Sequence, residues 1–309
     1  MVAIVSRSRD LAVTGGTGFV GQHLIRIASA EGFEVRALAR RDQPTISGVS
    51  WIPGSLDDPE SLLSLCDGAE AVIHIAGLIN GSREAFEAVN RGGTLAMVEA
   101  AKTRDVHRFI HISSLSAREP ELSSYGWSKA LSEDVIKSSG LDWTIIRPPA
   151  IYGPGDRETF ELFKMARRGF VALPPGGDFS IINVEDLCRL ILAAIDAPET
   201  IGKTYEPDDG RVGGWDHREF ARALGRAFGK RATPLPMPKP VMLVASMVEG
   251  AVRGSKAKLT PDRVRYFCHP DWVVDEKLRP SKGLWTPQVE TEAGLRQTAA
   301  WYLANGWLG

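Results

Sequence analysis

The chain has 309 residues, enough for one large α/β domain or for one domain with a smaller companion. Hydrophobic residues make up 43% of it, charged residues 24%, and the net charge of −1 supplies no basic field for nucleic acid. Its three cysteines, Cys66, Cys188 and Cys268, lie far apart and outside any Cys/His cluster, so we expect reduced buried thiols in a cytoplasmic protein without a metal site.

The first predicted strand, residues 11–14, leads into a glycine-rich turn and then into a helical pattern over residues 22–31. The glycine spacing fits both Gly16-x-Gly18-x-x-Gly21 and Gly15-x-x-Gly18-x-x-Gly21. Glycines allow the backbone to approach a pyrophosphate, and the helix N-terminus offers unpaired N–H groups to the anion. Strand, glycine turn and helix in this order therefore indicate a dinucleotide site.

A second strand over residues 34–38 is followed by two arginines. NAD-preferring sites place an acidic residue about 20 positions after the glycines. Here Arg40 and Arg41 occupy that neighbourhood, and the first acidic residue is Asp42. Guanidinium groups favour a 2′-phosphate, so we predict NADP as the preferred cofactor, with NAD also compatible. The alternative is that both arginines only solvate a loop.

Strands and helices continue to alternate up to about residue 150. Further strands are predicted at 49–52, 71–77, 108–112 and 143–147, with helices from about 59 to 66 and from about 83 to 103. This alternation predicts an α/β fold with a doubly wound parallel Rossmann sheet. Ligands of such sheets bind beyond the carboxyl ends of the strands. The glycine turn, Ala76-Gly77, Ser113-Ser114 and Pro148-Pro149 should share that edge, whereas His74 is expected to be a core histidine.

The segment Tyr125-Gly126-Trp127-Ser128-Lys129 places a tyrosine and a lysine on one face of a predicted helix, one turn apart. An ammonium group near a phenol favours the phenolate and is expected to lower the phenol pKa. A tyrosine tuned in this way can transfer a proton to or from a substrate oxygen.

Together these motifs resemble the short-chain dehydrogenase/reductase superfamily, in its extended or related atypical branch of the NAD-dependent epimerase/dehydratase type. The resemblance covers about two thirds of the chain. It depends on the segments 14–21, 74–77, 112–114, 125–129, 147–155 and 182–187. The ten residues between Ser114 and Tyr125 form a shorter segment than the one nucleotide-sugar epimerases carry, which makes the chain more similar to atypical members.

The resemblance implies a role for each matching residue. Tyr125 would be the general acid/base, Lys129 would lower its pKa and bind the nicotinamide ribose, and Ser114 would hold the substrate oxygen. Asn90 would join a proton relay or only pack. The residues implied to bind the cofactor are Gly15, Thr17, Gly18, Phe19, Val20, Gly21, Arg40, Ala76, Gly77, Ser113, Lys129 and Pro148. Ser55 replaces an acidic residue common in the family, which leaves the adenine contact to backbone or to Asp57.

The resemblance also implies two domains. A cofactor domain would comprise residues 1–150 with about 179–206, and a smaller substrate domain residues 151–178 with about 207–309. In the second part the four prolines between 234 and 240 predict a stiff connector, and residues 241–252 predict an apolar helix. We interpret this helix as a lid or core helix; the alternatives are a dimer interface or a membrane surface. Arg253, Lys256 and Lys258 are interpreted as a solvated helix end.

The expected activity is hydride transfer at a secondary alcohol or ketone of a small, apolar substrate. The alternatives are a nucleotide-sugar epimerase or dehydratase, and a non-catalytic NADP-binding assembly or regulatory protein. We expect no nucleic-acid partner, and a homodimer stays open. Neither residues 1–10 nor the run 241–248 is long and apolar enough to predict a signal peptide or a membrane span.

Overall fold

The computed structural model describes residues 9–254, 257 and 259–308, so the start of the chain, Lys256 and Lys258 lie outside the described residues. Its strands are β1 (Arg9–Thr14), β2 (Phe33–Ala39), β3 (Val49–Pro53), β4 (Ala71–His74), β5 (Arg108–Ile112), β6 (Asp142–Ile146), β7 (Ala150–Tyr152), β8 (Phe170–Leu173), β9 (Asp178–Phe179), β10 (Ile181–Asn183), β11 (Lys203–Tyr205), β12 (Trp215–Asp216), β13 (Thr233–Pro236) and β14 (Asp271–Trp272). Its α-helices are α1 (Phe19–Ala30), α2 (Pro59–Cys66), α3 (Arg83–Phe86), α4 (Gly93–Thr103), α5 (Ser124–Lys137), α6 (Phe160–Arg167), α7 (Val184–Ile195), α8 (His217–Ala227), α9 (Lys239–Arg253), α10 (Pro261–Phe267) and α11 (Thr291–Ala304).

The largest sheet has seven strands, in the order β11-β6-β5-β4-β1-β2-β3. The pairs from β3 through β6 are parallel. Helix α1 connects β1 to β2, α3 and α4 connect β4 to β5, and α5 connects β5 to β6. Strands β1, β4 and β5 are buried almost throughout, as expected for strands covered on both faces. The predicted doubly wound α/β fold is confirmed.

Two local features distinguish the helices in the N-terminal half of the chain. Helix α2 begins at Pro59, and the Asp58 side chain caps it by accepting from the Ser61 N–H. The helix predicted over 83–103 is continuous, but Glu87–Gly92 forms a π-helical segment between α3 and α4. The helical hydrogen bonding therefore changes within this helix, a change of the kind that often marks functional positions.

The stiff connector predicted around residues 234–240 is wrong in its first half. Thr233–Pro236 forms β13, which pairs in parallel with β8. Thr233 and Met237 donate their N–H groups to Gly169 and Leu173. Pro234 and Pro236 alternate with such donors, so the missing proline N–H groups fall on the unpaired edge of a two-stranded sheet, where proline is tolerated.

The chain divides into two compact units, each with its own core. The first contains the described residues within 1–113, 128–146 and 188–204, and the second those within 114–127, 147–187 and 205–309. In the second unit the C-terminal residues Trp301, Tyr302 and Trp307 form an aromatic cluster with Phe160 and Phe163. This cluster belongs to the hydrophobic core of that unit. The predicted limits of a cofactor domain and a substrate domain remain a prediction.

All three cysteines are free thiols; Cys66 and Cys188 are buried as predicted, and Cys268 is half-buried. Within the part of the chain that the structure describes, no helix has both the length and the apolar character needed to cross a membrane.

One half-buried arginine, at the start of β5, joins the sheet to the end of α7 and the segment after it in the first unit. The Arg108 guanidinium donates to the carbonyl oxygens of Asp142 (2.6 Å) and Ile195 (3.1 Å). It also donates to the hydroxyls of Thr144 (2.8 Å) and Thr200 (2.7 Å). A single side chain thus supplies hydrogen-bond donors to several acceptors from different elements.

We expect Arg108→Ala to lower the free energy of unfolding by about 2–4 kcal/mol, because several hydrogen bonds to a charged group are lost together. Denaturant unfolding measures the change. Arg104→Ala is the matched control, since Arg104 is exposed and donates to one carbonyl at 3.3 Å. Equal losses in the two variants would contradict the role assigned to Arg108.

Candidate active site

The glycine-rich turn between β1 and α1 brings two stretches of backbone into close contact. Gly15 has a φ of +75°, and a Cβ at that position would lie 2.7 Å from the Ala76 nitrogen. A Cβ on Gly21 would overlap the Gly15 carbonyl oxygen. Gly18, the residue preceding α1, donates its N–H to that same oxygen at 3.0 Å, and with Thr17 it is exposed. The turn is a backbone cradle that fits a dinucleotide pyrophosphate.

The other predicted cofactor residues of the first unit follow strand ends or open the first helix. Phe19 and Val20 begin α1 and are half-buried. Ala76 and Gly77 follow β4, and Ser113 follows β5. Because β1, β4 and β5 are parallel neighbours, these segments lie at the same edge of the sheet. Pro148 follows β6 and belongs to the second unit, where its carbonyl accepts from the Leu115 N–H at 2.9 Å.

Arg40 directly follows β2 and is exposed, as is Arg41. On the neighbouring loop the Ser55 hydroxyl donates to the Asp57 carboxylate. This hydrogen bond, with a contribution from the Arg40 charge, lowers the pKa of Asp57. The Arg40 side chain is therefore exposed to solvent, and the neighbouring Asp57 carboxylate stays ionised.

Asn90, within the π-helical segment, holds the loop that follows β4. Its carbonyl oxygen accepts from the Leu78 N–H at 2.6 Å, while its amide donates to the Leu78 carbonyl at 3.0 Å and to the Ser128 hydroxyl at 2.8 Å. A Cβ on Gly77 would lie 3.2 Å from the Asn90 oxygen and 3.9 Å from Lys129 Nζ. The small residue after β4 is needed because this amide and this ammonium approach the loop closely.

Lys129 is 4% exposed and donates from Nζ to the Ile112 carbonyl at 2.7 Å. Burial lowers its pKa to about 8, and the negative charge of Glu133 opposes that shift. Glu133 is itself buried, accepts from the Ser113 hydroxyl at 2.6 Å and pairs with Lys137 at 3.1 Å. Ser113, predicted to bind the cofactor, thus has its hydroxyl engaged by a carboxylate.

His74 is a core histidine, as predicted. Its Nδ1 is 2.7 Å from the Thr14 hydroxyl and its Nε2 is 3.1 Å from the Thr94 hydroxyl. Burial, and secondarily the charge of Lys129, lowers its pKa to about 3, so the ring is neutral. It stacks on the His111 ring with centroids 5.5 Å apart.

Ser114 and Tyr125, both in the second unit, are brought together by their side chains. The hydroxyls of Ser114 and Tyr125 are hydrogen-bonded to each other. Ser114 also accepts from the Ser116 hydroxyl at 2.9 Å and from the Ser116 N–H at 3.2 Å. The short segment between the two residues explains this proximity: a 3₁₀ turn, Leu115–Arg118, leads directly to α5.

The pKa of Tyr125 is raised, which contradicts the expectation that Lys129 lowers it. Burial is the largest cause, the Ser114 hydrogen bond opposes it, and the charges of Glu158 and Arg263 act in opposite directions. The lysine stands one turn further along α5, as predicted, but its ammonium is directed to the Ile112 carbonyl. Loss of solvation favours the neutral phenol over the charged phenolate.

Two residues near the site were missed at the sequence level. Glu133 follows Lys129 by one helical turn, so its i,i+4 spacing could have identified it. Asp262 accepts from the Ser124 N–H at 3.1 Å and holds the start of α5. Its distance of more than a hundred residues from Ser124 left no local signal.

Comparisons with known proteins agree with this geometry. The model of the NAD(P)H-binding family matches residues 15–198, more than half of the chain. The ceramide reductase of Caulobacter vibrioides (strain NA1000 / CB15N) is 37% identical, with 96% of each chain covered. The 2-alkyl-3-oxoalkanoate reductase of Stenotrophomonas maltophilia (strain K279a) is 27% identical over 94% of this chain and 98% of its own.

A solved structure, the UDP-N-acetylglucosamine 4-epimerase from Bacillus cereus, superposes with a TM-score of 0.71 at 18% identity and covers 97% of both chains. At that identity the likeness concerns the fold alone. The chain belongs to the NAD(P)H-binding family and is an NAD(P)-dependent oxidoreductase or epimerase of the extended short-chain dehydrogenase/reductase type.

Proposed function

We propose that this protein is an NADP(H)-dependent reductase that converts the ketone of an apolar substrate into a secondary alcohol. The observation that carries the proposal is the hydrogen-bonded pair of Ser114 and Tyr125, which stands at the start of the helix that also holds Lys129. When bound, NADPH supplies the hydride. The glycine cradle, Ala76, Gly77, Ser113, Lys129 and Pro148 would hold the nucleotide.

The protonation state of Tyr125 favours the reductive direction. A reduction needs a proton for the carbonyl oxygen as its carbon accepts hydride, so the acid must be protonated beforehand. Because burial raises the pKa of Tyr125, the phenol keeps its proton at neutral pH. In this proposal Tyr125 donates that proton, and the Ser114 hydroxyl donates a hydrogen bond to the same carbonyl oxygen.

The preference for NADP is supported by Arg40. It is exposed immediately after β2, where an NAD-preferring chain carries an acidic residue. Its planar guanidinium can form two parallel hydrogen bonds to a phosphate.

An apolar ketone is supported by the relatives' names. A 2-alkyl-3-oxoalkanoate contains a ketone on an alkyl chain, and ceramide is a lipid. The segment between Ser114 and Tyr125 is shorter than the one that nucleotide-sugar epimerases carry, which argues against a nucleotide-sugar substrate. We propose that residues 1–150 with about 179–206 bind the cofactor and that residues 151–178 with about 207–309 bind the substrate.

We expect Tyr125→Phe to lower kcat by about 10²- to 10⁴-fold, since the proton donor is removed while the ring stays. The measurement is ketone-dependent loss of NADPH absorbance, with nucleotide affinity measured separately and expected to be unchanged. An epimerase would show no net NADPH consumption in the wild type.

The control is Tyr302→Phe, which removes another buried hydroxyl of the second unit, one that donates to the Asp156 carbonyl. This variant should be less stable but catalytically intact. Full turnover by Tyr125→Phe would disprove the assigned role.

Replacement of Arg40 by alanine should weaken NADP binding by about 10- to 100-fold, as expected for the loss of a charge-assisted hydrogen bond of about 1.5–3 kcal/mol. NAD affinity should hardly change. Titration of both nucleotides gives the result, and Arg41→Ala, one position further along, is the control. If Arg40→Ala weakens both nucleotides equally, the preference does not come from this residue.

The buried ammonium of Lys129 makes stability depend on pH. Its folded pKa of about 8 lies below the unfolded value of 10.5, so the unfolded state binds more protons between these values and stability rises with pH. Relative to Lys129→Met, the wild type should gain about 2 kcal/mol of unfolding free energy between about pH 7 and about pH 10. Lys137→Met, at a more exposed lysine of the same helix, should show no such gain. If the difference in unfolding free energy between the wild type and Lys129→Met did not change with pH, burial would not destabilise the ammonium group of Lys129.

A further inference from the structure

Helix α9 leaves its apolar side in water. Its exposed residues Val241, Val244, Met247, Val248 and Val252 are 49%, 61%, 63%, 59% and 78% exposed. They recur at intervals of three and four residues, so they form one stripe along the helix. A surface helix of a globular protein normally turns such a stripe inward. The interpretation of α9 as a core helix is therefore wrong for the face that carries these five residues.

The inward side of α9 is narrow and holds the helix to its neighbours. Met242 and Ser246 are its buried positions. The acidic residue of the helix, Glu249, accepts from the Leu259 N–H and pairs with Arg253 at 3.3 Å. The Glu249 carboxylate is therefore occupied by the Leu259 N–H and by Arg253. The exposed stripe itself consists of valine and methionine side chains.

The segment around the stripe is strongly basic. Residues 239–267 contain six basic and two acidic residues, a net charge of +4 in a chain whose total is −1. The basic residues are Lys239, Arg253, Lys256, Lys258, Arg263 and Arg265, of which Lys256 and Lys258 lie outside the described residues. Among the described residues, Arg253, Arg263 and Arg265 pair with Glu249, Glu158 and Asp262, so the excess of positive charge is a property of the sequence of this segment. An apolar stripe within a basic segment is typical of helices that lie in the plane of an anionic membrane surface.

We propose that the exposed stripe of α9 docks on the surface of an anionic lipid bilayer. Valine and methionine side chains would enter the boundary between headgroups and acyl chains, and the net positive charge of residues 239–267 would attract anionic headgroups. A second copy of the chain fits less well. Complete burial of the five side chains would remove only about 500 Å² per copy from water, less than the ~800 Å² per partner of a stable interface. It would also place two basic segments against each other.

The helix after α9 connects this surface to the candidate site within the second unit. On α10, Asp262 accepts from the Ser124 N–H at the start of α5, and Arg263 pairs with Glu158. Tyr266 packs in a cluster with Leu115 and Trp272. If the proposed function is right, docking brings an apolar ketone dissolved in the bilayer to the part of the chain that carries Tyr125. This last step depends on the proposed function; the docking itself does not.

The test is co-sedimentation of the full chain, without nucleotide, with vesicles of phosphatidylcholine containing phosphatidylglycerol and with vesicles of phosphatidylcholine alone. We expect binding to the anionic vesicles that weakens as salt is added. The double variant Val244→Glu with Val248→Glu should lower the partition coefficient at least about tenfold, because two acidic groups would face an anionic surface.

The matched control is Val212→Glu, which adds the same charge at a valine that is 79% exposed and far from α9 in sequence. It should bind vesicles like the wild type. Unchanged unfolding temperature and NADP affinity in all variants would show that the fold and the nucleotide site are intact.

Three results would overturn the proposal: no sedimentation of the wild type with anionic vesicles, equal sedimentation of the α9 double variant, or an equal loss in Val212→Glu. A concentration-dependent dimer that the double variant dissociates, without vesicle binding, would assign the stripe to a second copy. A chain that binds vesicles but never oxidises NADPH with a ketone would refute the proposed function and leave the docking surface standing.

Discussion

The contact between the backbones of Gly15 and Ala76 constrains the architecture of the cofactor-binding unit. Strands β1 and β4 are neighbours in the sheet, so the segments that leave them must diverge or touch. They touch, with room for no Cβ at Gly15 and none at Gly21. The result is a rim of bare backbone, which side chains at these positions would fill. The affinity of this family for a pyrophosphate follows from that absence of side chains.

A second constraint is desolvation, which acts on both members of the Tyr-x-x-x-Lys pair. Burial raises the pKa of Tyr125 and lowers that of Lys129, so each group moves towards its neutral form. Glu133 limits the effect on Lys129 by placing a buried negative charge one turn away. The same carboxylate binds the Ser113 hydroxyl at the end of β5. One acidic residue therefore connects the end of a central strand to the charge environment of Lys129 on α5.

Within the second unit, the apolar residues of the C-terminal segment are packed into the core, whereas those of α9 are exposed. The C-terminal aromatic residues around Tyr302 pack edge to face with Phe160 and Phe163 and build the core. The valines of α9 remain in water although the helix contains more apolar residues than its narrow buried side can use. Exposed apolar area of this size has a cost unless a partner covers it, and in our proposal the net positive charge of residues 239–267 favours an anionic surface as that partner.

The order of residues by itself determined the α/β alternation, the glycine turn, and the membership of Ser114, Tyr125 and Lys129 in one motif set. These features depend on local periodicity, on turn chemistry and on spacing along a helix, all of which are readable over a few residues. Tertiary structure decided what the spacing left open. The direction of the Tyr125 pKa shift, the pairing of β13 despite its prolines, the Asp262 contact with α5 and the exposure of α9 each depend on which distant residues pack there. Desolvation and burial are properties of that packing, and no short stretch of sequence contains them.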